Sequence, residues 1–397
     1  MSAAAFDEAD PLADWRSRFV DAPGVAAYLD GNSLGRPLRA SADRLADFAA
    51  GEWGTRLIRG WDEGWLELPL TLGDELGRVA LGAAPGQVVI GDSTTVLLYK
   101  LIRAALDARP GRTEIVIDRG NFPTDRYVVE GVAADRGLTV RWIDTDHAGG
   151  VTPELAAMRV GPNTALTLFS SVAYRSGWIA DVRAITAHAH AAGALALWDL
   201  SHSTGVVPTE LDAWGVDLAV GCGYKYLNGG PGAPAHAYVR ASLQEQLRQP
   251  IQGWLGAAEP FGMHQGYARA AGIRGMISGT PPVLAMQPML DMVAAIGEVG
   301  IDAIRAKSVA LTAYAVELAA ELLPDARLAS PRDPDRRGGH ITLDHPGFVG
   351  ILPRLHARGV IPDFRRPDGI RLGMSPLSTW FAEVEAGIRI IAEELAA

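Results

Sequence analysis

Lysine is almost missing from this chain. Of 36 basic residues only three are lysines, Lys100, Lys225 and Lys307, and arginine fills nearly every other cationic position. Cysteine is rarer still. Cys222 stands alone, which excludes an intramolecular disulfide framework and fits a reducing compartment, so a cytoplasmic setting is expected. No run of 18 apolar residues occurs in the sequence, so no membrane-spanning helix and no membrane partner are expected. Positive charge is in deficit: 36 Lys and Arg against 46 Asp and Glu give a formal net charge of −10. The basic footprint that nucleic acid requires is therefore absent. The opening stretch MSAAAFDEADPLADW is acidic and lacks a basic region followed by an apolar one, so no secretory signal is expected. The nine histidines form no zinc signature, and His188 and His190 stand two apart in an expected helix, facing different ways. No metal is expected.

What is present suffices for a large core. A length of 397 residues points to two or three domains, or to one large domain with a smaller one attached. Short β-rich runs alternate with helical stretches through the middle of the chain. Strands are expected at Gln87–Gly91, Thr113–Asp118, Leu138–Ile143, Ala165–Phe169, Ala194–Trp198 and Leu218–Gly221, and helices at Val96–Ala108, Asp125–Ala134 and Ile185–Ala192. That alternation predicts an α/β fold, a mostly parallel sheet with helices on both faces. After about residue 295 the pattern changes to a long helix, Ile301–Leu323, then the polar SPRDPDRRGG and a short strand-helix-strand-helix tail. The expected division is an N-terminal segment, 1–45, packing on the small domain; a large domain, 46–295; and a smaller α+β C-terminal domain, 296–397.

Lys225 lies in GCGYKYLNGG, a stretch with glycines on both sides and little other charge. Solvation alone does not require lysine over arginine there. Chemistry can, because an amine shifts its pKa readily and forms Schiff bases. In open α/β sheets ligands sit beyond the carboxyl ends of the strands, so the residues that end each strand matter. QVVIG is followed by DSTTV, placing Ser93, Thr94 and Thr95 at a helix N-terminus, where free N–H groups and hydroxyls hold a phosphate or simply cap the helix. ALALW ends in Asp199, a carboxylate that could cap the next turn, and Lys225 follows one strand later. Each has an ordinary explanation alone. Together an amine, a carboxylate and an anion cradle match the aldehyde, ring nitrogen and phosphate of pyridoxal 5′-phosphate (PLP).

The blocks YLDGNSLGRP, DSTTVLLYK, NFPTDRY, WDLSHSTG, GCGYKYLNGGPGAP, GW, GTPP and PDFRRPDGIRLGMSPL, in that order from Tyr28 to the last helix, together resemble the kynureninase family. The resemblance implies the fold type I, aspartate-aminotransferase-like architecture of PLP enzymes. It implies a hydrolase that cleaves the Cβ–Cγ bond of L-kynurenine or a ring-substituted kynurenine to an anthranilate and L-alanine. A place in tryptophan catabolism and NAD biosynthesis follows, as does a homodimer with shared active sites. By the resemblance Lys225 would bind the cofactor aldehyde and shuttle protons, Asp199 would pair with the ring nitrogen beside His202, and Phe122 would stack on the ring. Asp125, Thr94, Thr95, Ser170 and Tyr224 would surround the cofactor, with Tyr224 also a proton donor or acceptor. Trp254 and Thr280 would complete its site, Thr280 from the other subunit. Arg371 would clamp the substrate carboxylate, and Ser33, Phe261 and Leu255 would touch the substrate.

Three positions depart from the family pattern. Leu255 and Ala257 stand where an aromatic residue and a histidine are usual, and Leu97 where an asparagine is usual. The first two lie in a substrate-facing segment, so a substituted ring is a candidate substrate. The competing reading is a related PLP lyase, desulfurase or aminotransferase acting on another amino acid. A desulfurase usually needs a reactive cysteine in a mobile loop, and Cys222 beside Lys225 is poorly placed for that.

Overall fold

The computed structural model describes residues 2–397, and these build two sheets. β1 (Ala27–Leu29) joins the smaller one. β2 (Val88–Gly91), β3 (Glu114–Asp118), β4 (Thr139–Ile143), β5 (Thr164–Ser170), β6 (Leu195–Asp199), β7 (Leu218–Gly221) and β8 (Ala235–Val239) form the larger, in the order β2-β8-β7-β6-β5-β3-β4. Strands β3 to β7 pair in parallel, and β8 runs antiparallel to both β7 and β2.

Side chains along a strand alternate between faces, and here both faces are covered. Ile115 and Ile117 of β3 and Leu195 and Leu197 of β6 enter one core; Val116, Ala196 and Trp198 enter the other. Continuous apolar runs are what a sheet buried on both sides requires. The helices α1 (Thr94–Asp107) and α2 (Pro123–Arg136) fill the first core, and α3 (Val182–Ala191) and α4 (Val283–Val299) fill the second. The predicted fold class is observed, and each of the six expected strands lies within a residue of its predicted ends. β8 was not predicted.

At Gly300, with φ +84°, the chain turns by 90° into α5 (Ile301–Leu322). Ile304 packs in a core of the large sheet, while Leu311 and Leu318 pack against the second sheet. One helix therefore serves two cores. Among the described residues no single helix is long and apolar enough to cross a membrane. The second sheet adds β9 (Arg327–Leu328), β10 (His340–Asp344), β11 (Val360–Arg365) and β12 (Gly369–Gly373), in the order β1-β11-β12-β10-β9. It is covered by α5, α6 (Phe348–Ala357) and α7 (Phe381–Ala396), through Phe348, Leu355, Phe381, Val384 and Ile388. β1 pairs in parallel with β11, Ala27 opposite Val360. The segment after β1, Asp30–Arg36, is thereby carried to the carboxyl end of the large sheet, where the backbone N–H of Gly35 donates to the carbonyl of Tyr224 at 2.9 Å. A Cβ on Gly35 would collide with the carbonyl of Lys225, so glycine is required at that crossing.

Candidate active site

The three lysines are all buried, and their partners separate them. Lys100 makes an ion pair with Asp92 and donates to the carbonyl of Met276 at 3.0 Å. Lys307 pairs with Asp10 at 2.6 Å. Lys225, only 8% exposed, has no carboxylate partner among the described residues; its Nζ lies 2.9 Å from Nε2 of His202. Two lysines are structural ion-pair residues. The third is a buried amine facing an imidazole.

Parallel strands end on one edge, and the loops after β3, β5, β6 and β7 converge around this amine. After β6, Asp199 accepts from the backbone N–H of Ser201 at 2.7 Å, which bends the chain so that His202 turns back toward Lys225. After β3, Asn121 accepts from the N–H of Phe122 at 2.7 Å and from the hydroxyl of Ser170, at the end of β5, at 2.8 Å. Phe122 stands at the entry to α2, its ring centroid 5.7 Å from Nζ of Lys225 and edge-on to Tyr174. Asp125, in the first turn of α2, is buried, and neither carboxylate oxygen meets a hydrogen-bond donor among the described residues.

The electrostatics follow from this crowding. Burial first, then the charges of Asp199 and Asp118, hold Asp125 well above the ordinary carboxylate range. Burial pushes Asp118 up to about 7. His202 is held neutral by burial and then by the charge of Lys225. Burial, followed by the neighbouring Cys222, raises the phenol of Tyr224 above its ordinary range. Buried polar atoms without partners cluster here: both oxygens of Asp125, Nδ2 of Asn121 and Nδ1 of His202. Each such group costs about 1–3 kcal/mol. Their concentration around one amine marks a place shaped for a polar, hydrogen-bonding occupant.

Arg371 reaches the same region from β12. It is 1% exposed, donates to the carbonyl of Tyr174 at 2.7 Å and to Oγ of Ser33 at 2.9 Å, and forms an ion pair with Asp363 of β11. Asp363 also holds Arg365 at 2.9 Å. Beside them burial pushes Asp30 up to about 6, against a hydrogen bond from Ser33.

The remaining expected residues lie elsewhere on this chain. Thr94 opens α1 and Ser93 caps it, its Oγ accepting from the N–H of Val96; Thr95 is exposed beside them. Trp254 and Phe261 are 44% and 54% exposed, their rings in edge contact at 5.7 Å. Ala257 lines the same open groove as Trp254 and His264. Thr280 is exposed and shares a small cavity with Leu97, the third departure from the family pattern. Leu255 points the other way, 4% exposed in the core with Ile273, Met276 and Ile277. No hydrogen bond or ring contact joins Trp254, Leu255, Phe261 or Thr280 to Lys225 within the described residues. Sequence reasoning missed Asn121, Asp30 and Asp363 as site residues, although Asn121 stood inside the NFPTDRY block, Asp30 inside YLDGNSLGRP and Asp363 inside PDFRRPDGIRLGMSPL.

Comparison with known proteins places this architecture. An apo cysteine desulfurase from Thermococcus onnurineus superposes with a TM-score of 0.79 at 17% identity, covering 96% of this chain and 98% of that one. A lysine-to-alanine mutant of C-DES, with glycine covalently linked to its PLP cofactor, gives a TM-score of 0.82 at 17% identity, again covering 96% and 98%. The fold is that of the fold type I PLP enzymes. Sequence narrows this further. Kynureninase of Pseudomonas fluorescens is 39% identical over 401 residues, 98% of this chain and 94% of that one. Kynureninase of Burkholderia pseudomallei is 40% identical over 391 residues, covering 96% and 92%. The family model "Kynureninase C-terminal domain" matches residues 304–391. The chain belongs to the kynureninase family.

Proposed function

We propose that this protein is a PLP-dependent hydrolase that splits the Cβ–Cγ bond of L-kynurenine, or of a ring-substituted kynurenine, into an anthranilate and L-alanine. The observation that carries it is the buried amine of Lys225, facing His202 and ringed by unpartnered polar groups, in a chain of this family. The residues fit the cofactor. Lys225 would bind its aldehyde, Asp199 its ring nitrogen and Phe122 its ring face, with Asp125, Ser170, His202, Thr94 and Thr95 around it. When bound, PLP supplies an electron sink for negative charge on the carbons beside the substrate amine.

The chain's own groups supply binding and proton control. Arg371 is a buried fork already charged and oriented by Asp363 and Ser33, suited to a bidentate grip on the substrate carboxylate. The amine of Lys225 takes and returns the Cα proton, with Nε2 of His202, held neutral, as its hydrogen-bonding neighbour at 2.9 Å. Tyr224 keeps its proton at neutral pH and can donate it to the γ-carbonyl oxygen as water adds there. Collapse of the resulting diol breaks the bond.

The exposed Trp254, Phe261 and Thr280 support the finer reading of a homodimer in which these side chains complete the partner's site. The division at residues 45 and 295, a cytoplasmic setting and a role in tryptophan catabolism feeding NAD biosynthesis belong to the same proposal. Against a desulfurase, Cys222 is 3% exposed and seated against the carbonyl of Ser201. The test is a product assay with kynurenine and ring-substituted kynurenines, alongside borohydride reduction of the coloured protein. Release of an anthranilate with alanine, and a label on Lys225, are expected. A label on Lys100 or Lys307, or turnover that requires a keto-acid acceptor, refutes the reading.

A further inference from the structure

The mechanism above leaves Lys100 unused, although it stands on α1, the helix whose entry turn carries Thr94 and Thr95. It is 0% exposed, and a lysine is almost never fully buried unless paired. Side chains on a helix lean toward its N-terminus. Lys100 accordingly reaches back past the cap, Ser93, to an ion pair with Asp92, and it also donates to the carbonyl of Met276 at 3.0 Å. We infer that Lys100 is a positioning residue for the cofactor phosphate, tying the turn at residues 92–95 to the segment 276–280. The inference rests on the placing of the phosphate at Thr94 and Thr95 in the proposed function.

The two segments that the amine joins differ in firmness. Met276 and Ile277 lie in the core with Leu98, Leu101 and Leu255. The N–H of Leu255 donates to the carbonyl of Ser278 at 3.2 Å. Cβ atoms on Gly253 and Gly256 would collide with the carbonyls of Ser278 and Ile277, so the two backbones meet directly. The turn has no such support. Asp92, Ser93 and Thr95 are exposed, and Asp92 holds φ +50°, a left-handed conformation that aspartate tolerates at a cost. Among the described residues no hydrogen bond joins residues 92–97 directly to 276–282; Leu97, which lines the small cavity between them, is apolar. Lys100 bridges that gap. A pair made only to balance charge needs no second acceptor, and the bond to Met276 is what turns this pair into a tie. A compact amine on a flexible stem suits two acceptors in a closed slot better than the planar guanidinium does, which fits a lysine here in a chain that otherwise prefers arginine.

PLP and pyridoxal, which has the same aldehyde and ring but no phosphate, separate this role from a merely structural one. The Kd of each for the full-length protein is read by absorbance titration. Lys100→Met keeps the stem and loses the donors; it should raise the Kd for PLP about tenfold and leave that for pyridoxal within about twofold. Asp92→Gly keeps the positive φ and removes the carboxylate, and should do the same. Asp92→Asn keeps an acceptor oxygen and should recover most of the PLP affinity. Because Asp92 is exposed, Asp92→Gly decides the matter even if Lys100→Met does not fold. Equal loss of both ligands in Asp92→Gly, or no loss of PLP there, overturns the inference and leaves Lys100 a core ion-pair residue. Thr94→Val with Thr95→Val tests the reading beneath it, and should likewise weaken PLP and spare pyridoxal. If it does so while Asp92→Gly does not, the inference alone falls. If it leaves PLP affinity unchanged, the phosphate lies elsewhere and that part of the proposed function falls with the inference.

Discussion

The Lys225 cluster and the Trp254–Thr280 surface carry the same kind of expectation from sequence, yet they are built in opposite ways. The first is assembled from four strand ends and the Asp30–Arg36 crossing, is buried, and holds its polar groups in fixed relations within one chain. The second is an outward-facing patch with Trp254, Phe261 and Met263 exposed at 44%, 54% and 73%. The difference teaches where each part's precision comes from. The cluster is set by the fold of the monomer, whereas the patch is an exposed apolar surface of the kind that marks an interaction site.

Variants can break this contrast. Lys225→Ala should remove turnover almost wholly, by about 10⁴-fold or more, since it loses both the cofactor anchor and the proton carrier. Trp254→Ala should also be impaired, but mixing the two variants should raise activity above that of either alone. No recovery after subunit exchange would place both residues in one chain's site. Asp199→Asn should retain the cofactor, seen by its absorbance, while kcat falls roughly 10²-fold because the ring nitrogen loses its charged partner. Near-normal turnover would assign that nitrogen to another group.

Arg371→Lys should weaken substrate binding by about 1.5–3 kcal/mol, because lysine keeps the charge but not the planar fork. An unchanged apparent affinity would move the carboxylate site. Neighbours 255 and 257 then sharpen the comparison within three residues. Ala257→His should narrow the range of ring-substituted kynurenines, since an apolar pocket discriminates by only about 1–3 kcal/mol per methylene-sized change. Leu255→Phe instead overfills a core and should cost about 1–3 kcal/mol of stability in urea unfolding. The smallest effect concerns Asp30. Its folded carboxyl is raised to about 6, so between about pH 4 and 6 the unfolded chain releases a proton that the folded chain keeps, and stability falls as pH rises through that window. Asp30→Asn should remove a loss of about 1–2 kcal/mol, discounted for partial exposure, at pH 8 but not at pH 4. Equal changes at both would show that the carboxyl titrates normally.

Much of the large sheet was legible because continuous apolar runs between helical stretches have few other solutions. β8 was not, since it follows the turn-rich NGGPGAP and pairs antiparallel, outside the alternation. Lys225 and Asp199 could be found by asking what ends each strand. Asp363 and Asp30 stood inside two of the quoted blocks, but their contacts with Arg371 and Ser33 depend on how a second sheet meets the first. Leu255 shows the converse failure. It follows Trp254 directly, but successive residues in a 3₁₀ turn point about 120° apart, so one faces solvent and the next faces Ile273 and Met276.

The pairing of β1 with β11 has a consequence in time. Ala27 waits for Val360, so during synthesis at about 5–20 residues per second the first strand is unpaired for roughly 20–70 s. Its attached crossing, which packs on Tyr224 and Lys225, cannot settle until β11 has emerged. The lysine pocket is therefore completed only after β11 is made, and a chain that stalls before it carries a large sheet with its working edge still open.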